Sequence, residues 1–141
     1  MSKDARRDQY RWWTTIPMRW MDCDAYGHVN NVVYYSWFDT AATLMMYELG
    51  VLGPEAEAIG LCVESGCLFH RPVEFPRAVD AGVRIGRLGD KSVRYELGLF
   101  EQGNDGPSAT GHFIHVFVDR ATRRPVPIAP AHRDLLAPLS V

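Results

Sequence analysis

Cysteine is scarce in this chain: three residues, Cys23, Cys62 and Cys67, an odd number with no C-x-x-C spacing. That excludes a disulfide framework and a zinc knuckle as organising devices. Charge of one sign is also lacking, with 15 Lys and Arg against 17 Asp and Glu and a net charge of -2. There is therefore no electrostatic footprint for nucleic acid or an anionic membrane surface. No apolar run reaches the length of a membrane span. The stretch from Met1 to Arg7 is charged and has no apolar core of a signal peptide, so the expected compartment is the cytoplasm. Repeats and low-complexity segments are missing too. What remains is 141 residues, 47% apolar and 23% charged, the size and composition of one globular domain. Residues 1–9 read as a flexible lead-in and residues 10–141 as the domain.

Residues 10–21 are rich in aromatic and β-branched side chains (Trp12, Trp13, Thr14, Thr15, Ile16), which favours a strand. Pro17 puts that strand at an edge or a bulge, because proline cannot donate to a ladder. Residues 32–49 are the one long helix candidate. Ser36, Thr40, Thr43 and Tyr47 make a narrow polar stripe on it, and nearly everything else is apolar. Such a helix needs other structure around it. Its aromatic and sulfur residues Trp37, Phe38, Met45 and Met46 read as core by default. Asn30 or Asn31 can cap its start and Gly50 can end it. Residues 53–60 read as a short turn or loop. After Gly60 the period changes to two. Leu61, Val63, Cys67 and Phe69 share one parity, as do Val79, Ala81, Val83 and Ile85. Val93, Tyr95, Leu97 and Leu99 form a third set, and Ile114, Val116 and Val118 a fourth. Turn chemistry separates the sets, at Arg71-Pro72 through Phe75-Pro76, at Gly89-Asp90, at Gly103 to Gly106 and at Asp119 to Pro125. Residues 130–136 read as one last helical turn. The order predicts an α+β domain in which a strongly curved antiparallel sheet wraps a long central helix. Uncovered edges and faces then call for an oligomer.

The densest polar stretch is Asp22-Cys23-Asp24-Ala25-Tyr26-Gly27-His28-Val29-Asn30-Asn31, placed directly before the apolar helix. Two acids, a histidine and two amides at the mouth of a hydrophobic element are costly to bury without partners. A helix N-terminus there offers free N–H groups and the positive end of the helix dipole, where an oxyanion would be stabilised. Asp24 is either a base or nucleophile or a loop cap; Asp22, two residues away, reads as support that accepts backbone N–H groups or pairs with Arg19. Gly27 fits a tight turn or a close approach of substrate. His28 fixes the loop or contacts substrate, and the amides of Asn30 and Asn31 cap the helix or orient water. Tyr34 is a pocket wall or core residue. A metal trio of Asp22, Asp24 and His28 is a poor reading, since no further ligand recurs nearby, and His112 and His115 fall on opposite faces of a strand.

The element order and the words Asp22-x-Asp24-x-x-Gly27-His28-Val29-Asn30-Asn31-x-x-Tyr34 resemble the hotdog-fold acyl-CoA thioesterases of the hydroxybenzoyl-CoA thioesterase group. Supporting words are Arg71-Pro72-Val73-Glu74-Phe75, Gly89-x-x-Ser92, and Val118-Asp119-Arg120 ahead of Pro125-Val126-Pro127. The resemblance implies hydrolysis of an acyl- or aryl-CoA thioester, with Asp24 as catalytic carboxylate and the backbone N–H of Asn31 polarising the carbonyl. General base is the favoured role for Asp24, direct nucleophile the other. Gly27, His28, Asn30, Tyr34 and Ser92 are the implied substrate contacts. Arg71, Arg77, Arg87, Lys91 and Arg94 are candidates for the CoA phosphates, with Arg87, Lys91 and Arg94 retained as the set. Coenzyme A enters as part of the substrate, with no further cofactor and no metal. The resemblance also implies a homodimer or homotetramer with its site between subunits. One departure stands out: Asp39-Thr40-Ala41-Ala42 occupies the helix where many relatives carry Glu followed by Ala-Arg. The alternatives are a thioesterase acting on acyl carrier protein and a non-catalytic acyl-thioester binder. A hotdog dehydratase lacks its His-plus-acid pair here.

Overall fold

The computed structural model describes residues 2–53 and 55–141. Five strands, β1 (Trp12–Ile16), β2 (Ala58–Phe69), β3 (Val79–Leu88), β4 (Ser92–Glu101) and β5 (Ala109–Asp119), form one antiparallel sheet in the order β1-β3-β4-β5-β2. Helix α1 (Asn31–Leu49) lies on the inner face of the sheet, and a short α2 (Pro130–Leu136) follows the last strand. This is the hotdog arrangement, α+β, with the sheet left open. Among the described residues no helix is long and apolar enough to cross a membrane.

Helix α1 begins where Asn30 caps it, its side-chain oxygen accepting from the Val32 N–H at 3.2 Å. It ends at Gly50, whose φ of 80° closes the last turn. Its buried face is Tyr34, Trp37, Phe38, Ala41, Ala42, Met45 and Met46. That face meets Val79, Ala81, Val83 and Ile85 of β3 and Val93, Tyr95, Leu97 and Leu99 of β4, all buried as their parity predicts. Each large side chain so buried contributes roughly 1.5–3 kcal/mol. The helix is not wrapped all round, however. Val32, Tyr35, Leu44 and Tyr47 remain exposed on its far side, because a single open sheet covers only one face.

Several boundaries differ from expectation. The first strand stops at Ile16, before Pro17, and residues 20–22 turn as a short 3-10 segment instead of extending it. It is an edge strand, one of the two placements read from Pro17. The loop expected over residues 53–60 gives way to β2 at Ala58; Pro54, within it, lies outside the described residues. In β2 the shared parity of Leu61 and Cys67 fails. A bulge at Val63 shifts the register, placing Leu61 opposite Val116 and Cys67 opposite Gly111. One inserted residue exchanges the two faces of a strand. In β5 the inward set is Phe113, His115 and Phe117, while Ile114 and Val116 face outward. Uniform hydrophobicity on both parities hides which face is buried there.

The lead-in is anchored rather than free. Arg7 pairs with Asp80 at 2.8 Å and donates to the Asn104 carbonyl at 2.9 Å. Tyr10 packs edge-on to Trp13 and Phe100, which are tilted to each other, over the outer face of β3 and β4. Farther along that face, Glu96 joins Arg84 and Arg94, and His112 meets Glu64 at 2.7 Å.

His115 is buried on the inner face against Tyr95 and Phe113, and its Nδ1 has no partner among the described residues. Burial lowers its pKa below the ordinary 6.5, against a smaller opposing effect of Asp39. The folded protein thus holds a neutral imidazole that the unfolded chain protonates more readily. The stabilisation it gives is present above the unfolded pKa and is lost as pH falls below it. Melting temperatures between about pH 7 and pH 5 are expected to fall less in His115→Phe than in wild type.

Candidate active site

The loop between β1 and α1 is built by the acids and the glycine that punctuate it. Asp22 is only 1% exposed and accepts from the Arg19 backbone N–H and guanidinium, at 2.8 Å for both N and Nη2. The Asp22 carbonyl takes the Asn30 N–H at 2.8 Å, tying this turn to the start of α1. Asp22 is therefore support, the role its position and Arg19 predict. Asp24 opens a tight turn: its N–H donates to the His28 carbonyl at 2.8 Å, and its carbonyl accepts from Gly27 at 3.2 Å. Gly27 sits at φ 81°, a conformation that side-chain-bearing residues rarely adopt.

One carboxylate oxygen of Asp24 accepts from the Tyr26 N–H at 2.8 Å. The other has no hydrogen-bond partner among the described residues. One oxygen thus closes the turn and the other is left open. Asn31 is the first residue of α1, so its N–H has no intrahelical acceptor. Asp24, Tyr26, His28, Asn30, Asn31, Tyr34, Phe69, Arg71 and Pro72 line one open groove of about 580 Å³.

Within it, His28 lies 3.8 Å from Glu74 and pairs through its backbone with that residue, which is the loop-fixing geometry. Tyr34 is buried edge-on to Trp37 and Phe69, and burial pushes its phenol up to about 12, so it remains neutral. Cys67, on the inner side of β2, has its thiol raised to about 11 by burial, far from the thiolate a nucleophile needs. Asp22, Asp24 and His28 turn to three different partners, Arg19, Tyr26 and Glu74, and do not converge. Asn30→Ala removes the cap on Val32 and is expected to destabilise the fold by about 1 kcal/mol, measured by chemical denaturation.

Ser92, Arg87 and Lys91 are not brought to this groove within the chain. The Glu101 end of β4 lies at the site, accepting from the Glu74 N–H at 3.3 Å. Ser92 is at the other end of that strand, about 30 Å along, with Arg87 and Lys91 beside it. Arg94 is engaged on the outer face with Glu96. Arg77 pairs with Glu101. Asp39 is exposed on α1. The lining residues that were not site candidates are Tyr26, Val29, Phe69 and Pro72. Tyr26 stood unspecified inside the motif, and Phe69 ends the strand that delivers Arg71-Pro72. A larger cavity, about 690 Å³, lies at the far end of α1 and is lined by Val51, Leu52, Val126 and Pro127 with Glu57, Asp119 and His132. Asp119 there serves its own turn, accepting from the Ala121 and Thr122 N–H groups.

A model of the thioesterase-like superfamily matches residues 18–136. Among solved structures, the PA5185 protein of Pseudomonas aeruginosa strain PAO1 is 48% identical, over 96% of this chain and 95% of its own, with a TM-score of 0.91. The gentisyl-coenzyme A thioesterase BH1999 is 28% identical over 89% of this chain and 99% of its own, with a TM-score of 0.78. Slr0204 of Synechocystis, a 1,4-dihydroxy-2-naphthoyl-CoA thioesterase, is 11% identical over 89% and 94%, with a TM-score of 0.80, a likeness of fold alone. A comparison with curated proteins gives no match.

Proposed function

The chain belongs to the thioesterase-like superfamily, and on that premise we propose that it hydrolyses an acyl- or aryl-CoA thioester to the free acid and CoA. The observation that carries this reading is that Asp24 and the N-terminus of α1 open into one groove. In the mechanism we favour, the free oxygen of Asp24 takes a proton from water as that water attacks the thioester carbonyl carbon. The Asn31 N–H donates to the oxygen that gains charge, helped by the helix dipole. The tetrahedral intermediate collapses, the carbon–sulfur bond breaks, and the departing thiolate takes up the proton. The reaction needs no cofactor beyond the CoA of its substrate. The likeness to a gentisyl-coenzyme A thioesterase supports CoA as the carrier.

We place the site between two copies of the chain. Strand β2 ends the sheet, and its middle is exposed, with Val63 at 62%. Antiparallel pairing of two β2 edges about a two-fold axis sets the Ala58 end of one strand beside the Phe69 end of the other. The partner's Ser92, Arg87 and Lys91 lie toward that Ala58 end, and so approach this groove, within reach of the CoA phosphates. A panel of acyl- and aryl-CoA thioesters and acyl carrier protein thioesters, assayed by free-thiol release, tests the reading. Turnover of CoA thioesters is expected. Turnover of carrier-protein thioesters alone changes the carrier, and binding without turnover removes the hydrolase reading. Label found in the Asp24 carboxylate after single-turnover hydrolysis in ¹⁸O-water identifies direct attack with the anhydride opened at the aspartyl carbon, because a general base gains no label.

A further inference from the structure

We infer that Arg71, seated by Gly106, is the receptor for a carboxylate carried on the acyl group, so that this site takes thioesters of acids bearing a second carboxylate. The inference rests on the hydrolase reading and names its substrate class. Arg71 lines the groove that holds Asp24, Asn31 and His28. The other arginines at this end of the molecule have acidic partners: Arg7 with Asp80, Arg19 with Asp22, and Arg77 with Glu101. Arg71 has none within 4.0 Å among the described residues, Asp24 included. The groove therefore holds a base and a cation that do not neutralise one another.

Arg71 is exposed, and its guanidinium lies against Gly106. The Arg71 backbone N–H is fixed on the Ser108 carbonyl at 3.2 Å. A Cβ on Gly106 would fall 2.6 Å from Arg71 Nη2 and 3.1 Å from Cζ, so the absent side chain at 106 is the seat of the guanidinium. A planar, permanently charged fork in such a seat matches a carboxylate by two parallel hydrogen bonds. A CoA phosphate is the other anion on offer. It is separated from the thioester by the whole pantetheine arm, whereas Arg71 shares with Asp24 a groove of about 580 Å³. A volume of that order holds an acyl group and the atoms next to its thioester. Arg71 and Asp24 line the same groove, so an anion on the acyl side can meet Arg71 while the carbonyl faces Asp24.

The test compares kcat/KM for size-matched thioesters, glutaryl-CoA against 5-methylhexanoyl-CoA and carboxybenzoyl-CoA against nitrobenzoyl-CoA. Wild type is expected to prefer the carboxylated member of each pair by about 10- to 100-fold. Arg71→Ala is expected to abolish that preference. Gly106→Ala, which meets only the movable end of Arg71, is expected to reduce the preference several-fold while the melting temperature holds. Absence of a preference in wild type overturns the inference. So does an equal loss on both members in Arg71→Ala that vanishes with pantetheine thioesters, which assigns Arg71 to a CoA phosphate. Calorimetric titration with free glutarate and valerate runs independently of turnover. Glutarate binding that depends on Arg71 in a protein inert toward every CoA thioester keeps the receptor and rejects the hydrolase. Turnover without glutarate binding or preference does the reverse.

Discussion

Asp24→Asn is expected to lower kcat by about 10²-fold or more and to leave KM nearly unchanged. Asparagine has the size and shape of aspartate, and its amide oxygen can keep the 2.8 Å bond from the Tyr26 N–H that holds the turn. What it lacks is a basic oxygen on the other side of the group, where Asp24 is open to the groove. Substrate binding depends on the walls, and these are untouched, so the loss falls on the chemical step. Asp24→Ala confounds the two roles, because it also releases the Tyr26 N–H. Steady-state thiol release by wild type and Asp24→Asn, with melting temperatures beside it, makes the distinction. Normal turnover in a folded Asp24→Asn protein would place the base elsewhere.

The core of this site was legible because its residues are contiguous. Asp22 to Asn31 form one loop feeding one helix, and local chemistry decides most of it. Asp22 could be assigned to Arg19 from a spacing of three residues. The end of α1 followed from Gly50, and its start to within one residue from a cap at Asn30 or Asn31, since caps are read by the backbone that carries them. The sheet was less legible wherever its period breaks. In β2 a bulge at Val63 exchanges faces midway, and no turn residue announces it. In β5 both parities are apolar, and the inward-facing set includes a histidine, so His115 points to the core while Ile114 and Val116 do not. The rest of the groove comes from residues distant in sequence. Phe69, Arg71 and Gly106 meet the motif only because β2 and the loop before β5 end at the same side of the sheet. Ser92 marks the limit of a single chain: in the proposed site it comes from a second copy, which the sequence of one copy does not orient.

That dependence gives the other large effect. The double substitution Leu61→Lys and Val63→Lys is expected to yield a folded monomer whose kcat/KM is lower by about two orders of magnitude. Among the described residues strand β2 pairs only with β5, and its free edge presents unpaired N–H and C=O groups along a stretch that exposes Leu61, Val63, Leu68 and Phe69. Val32, Tyr35 and Leu44 are exposed on the far side of α1 as well, and large exposed apolar surface marks sites of association. Lysine is the residue that natural edge strands use to refuse a partner, and two of them on each strand confront two more across a two-fold axis. Leu61 and Val63 are outside the groove, and neither belongs to the buried core, so the fold of each subunit is not at stake. Sedimentation velocity reads the association, circular dichroism the fold, and thiol release the activity. Loss of activity in step with loss of the dimer locates part of the substrate site on the neighbouring subunit. A fully active monomer would mean that Asp24, the N-terminus of α1 and the groove of a single chain suffice, and that Ser92, Arg87 and Lys91 play no part.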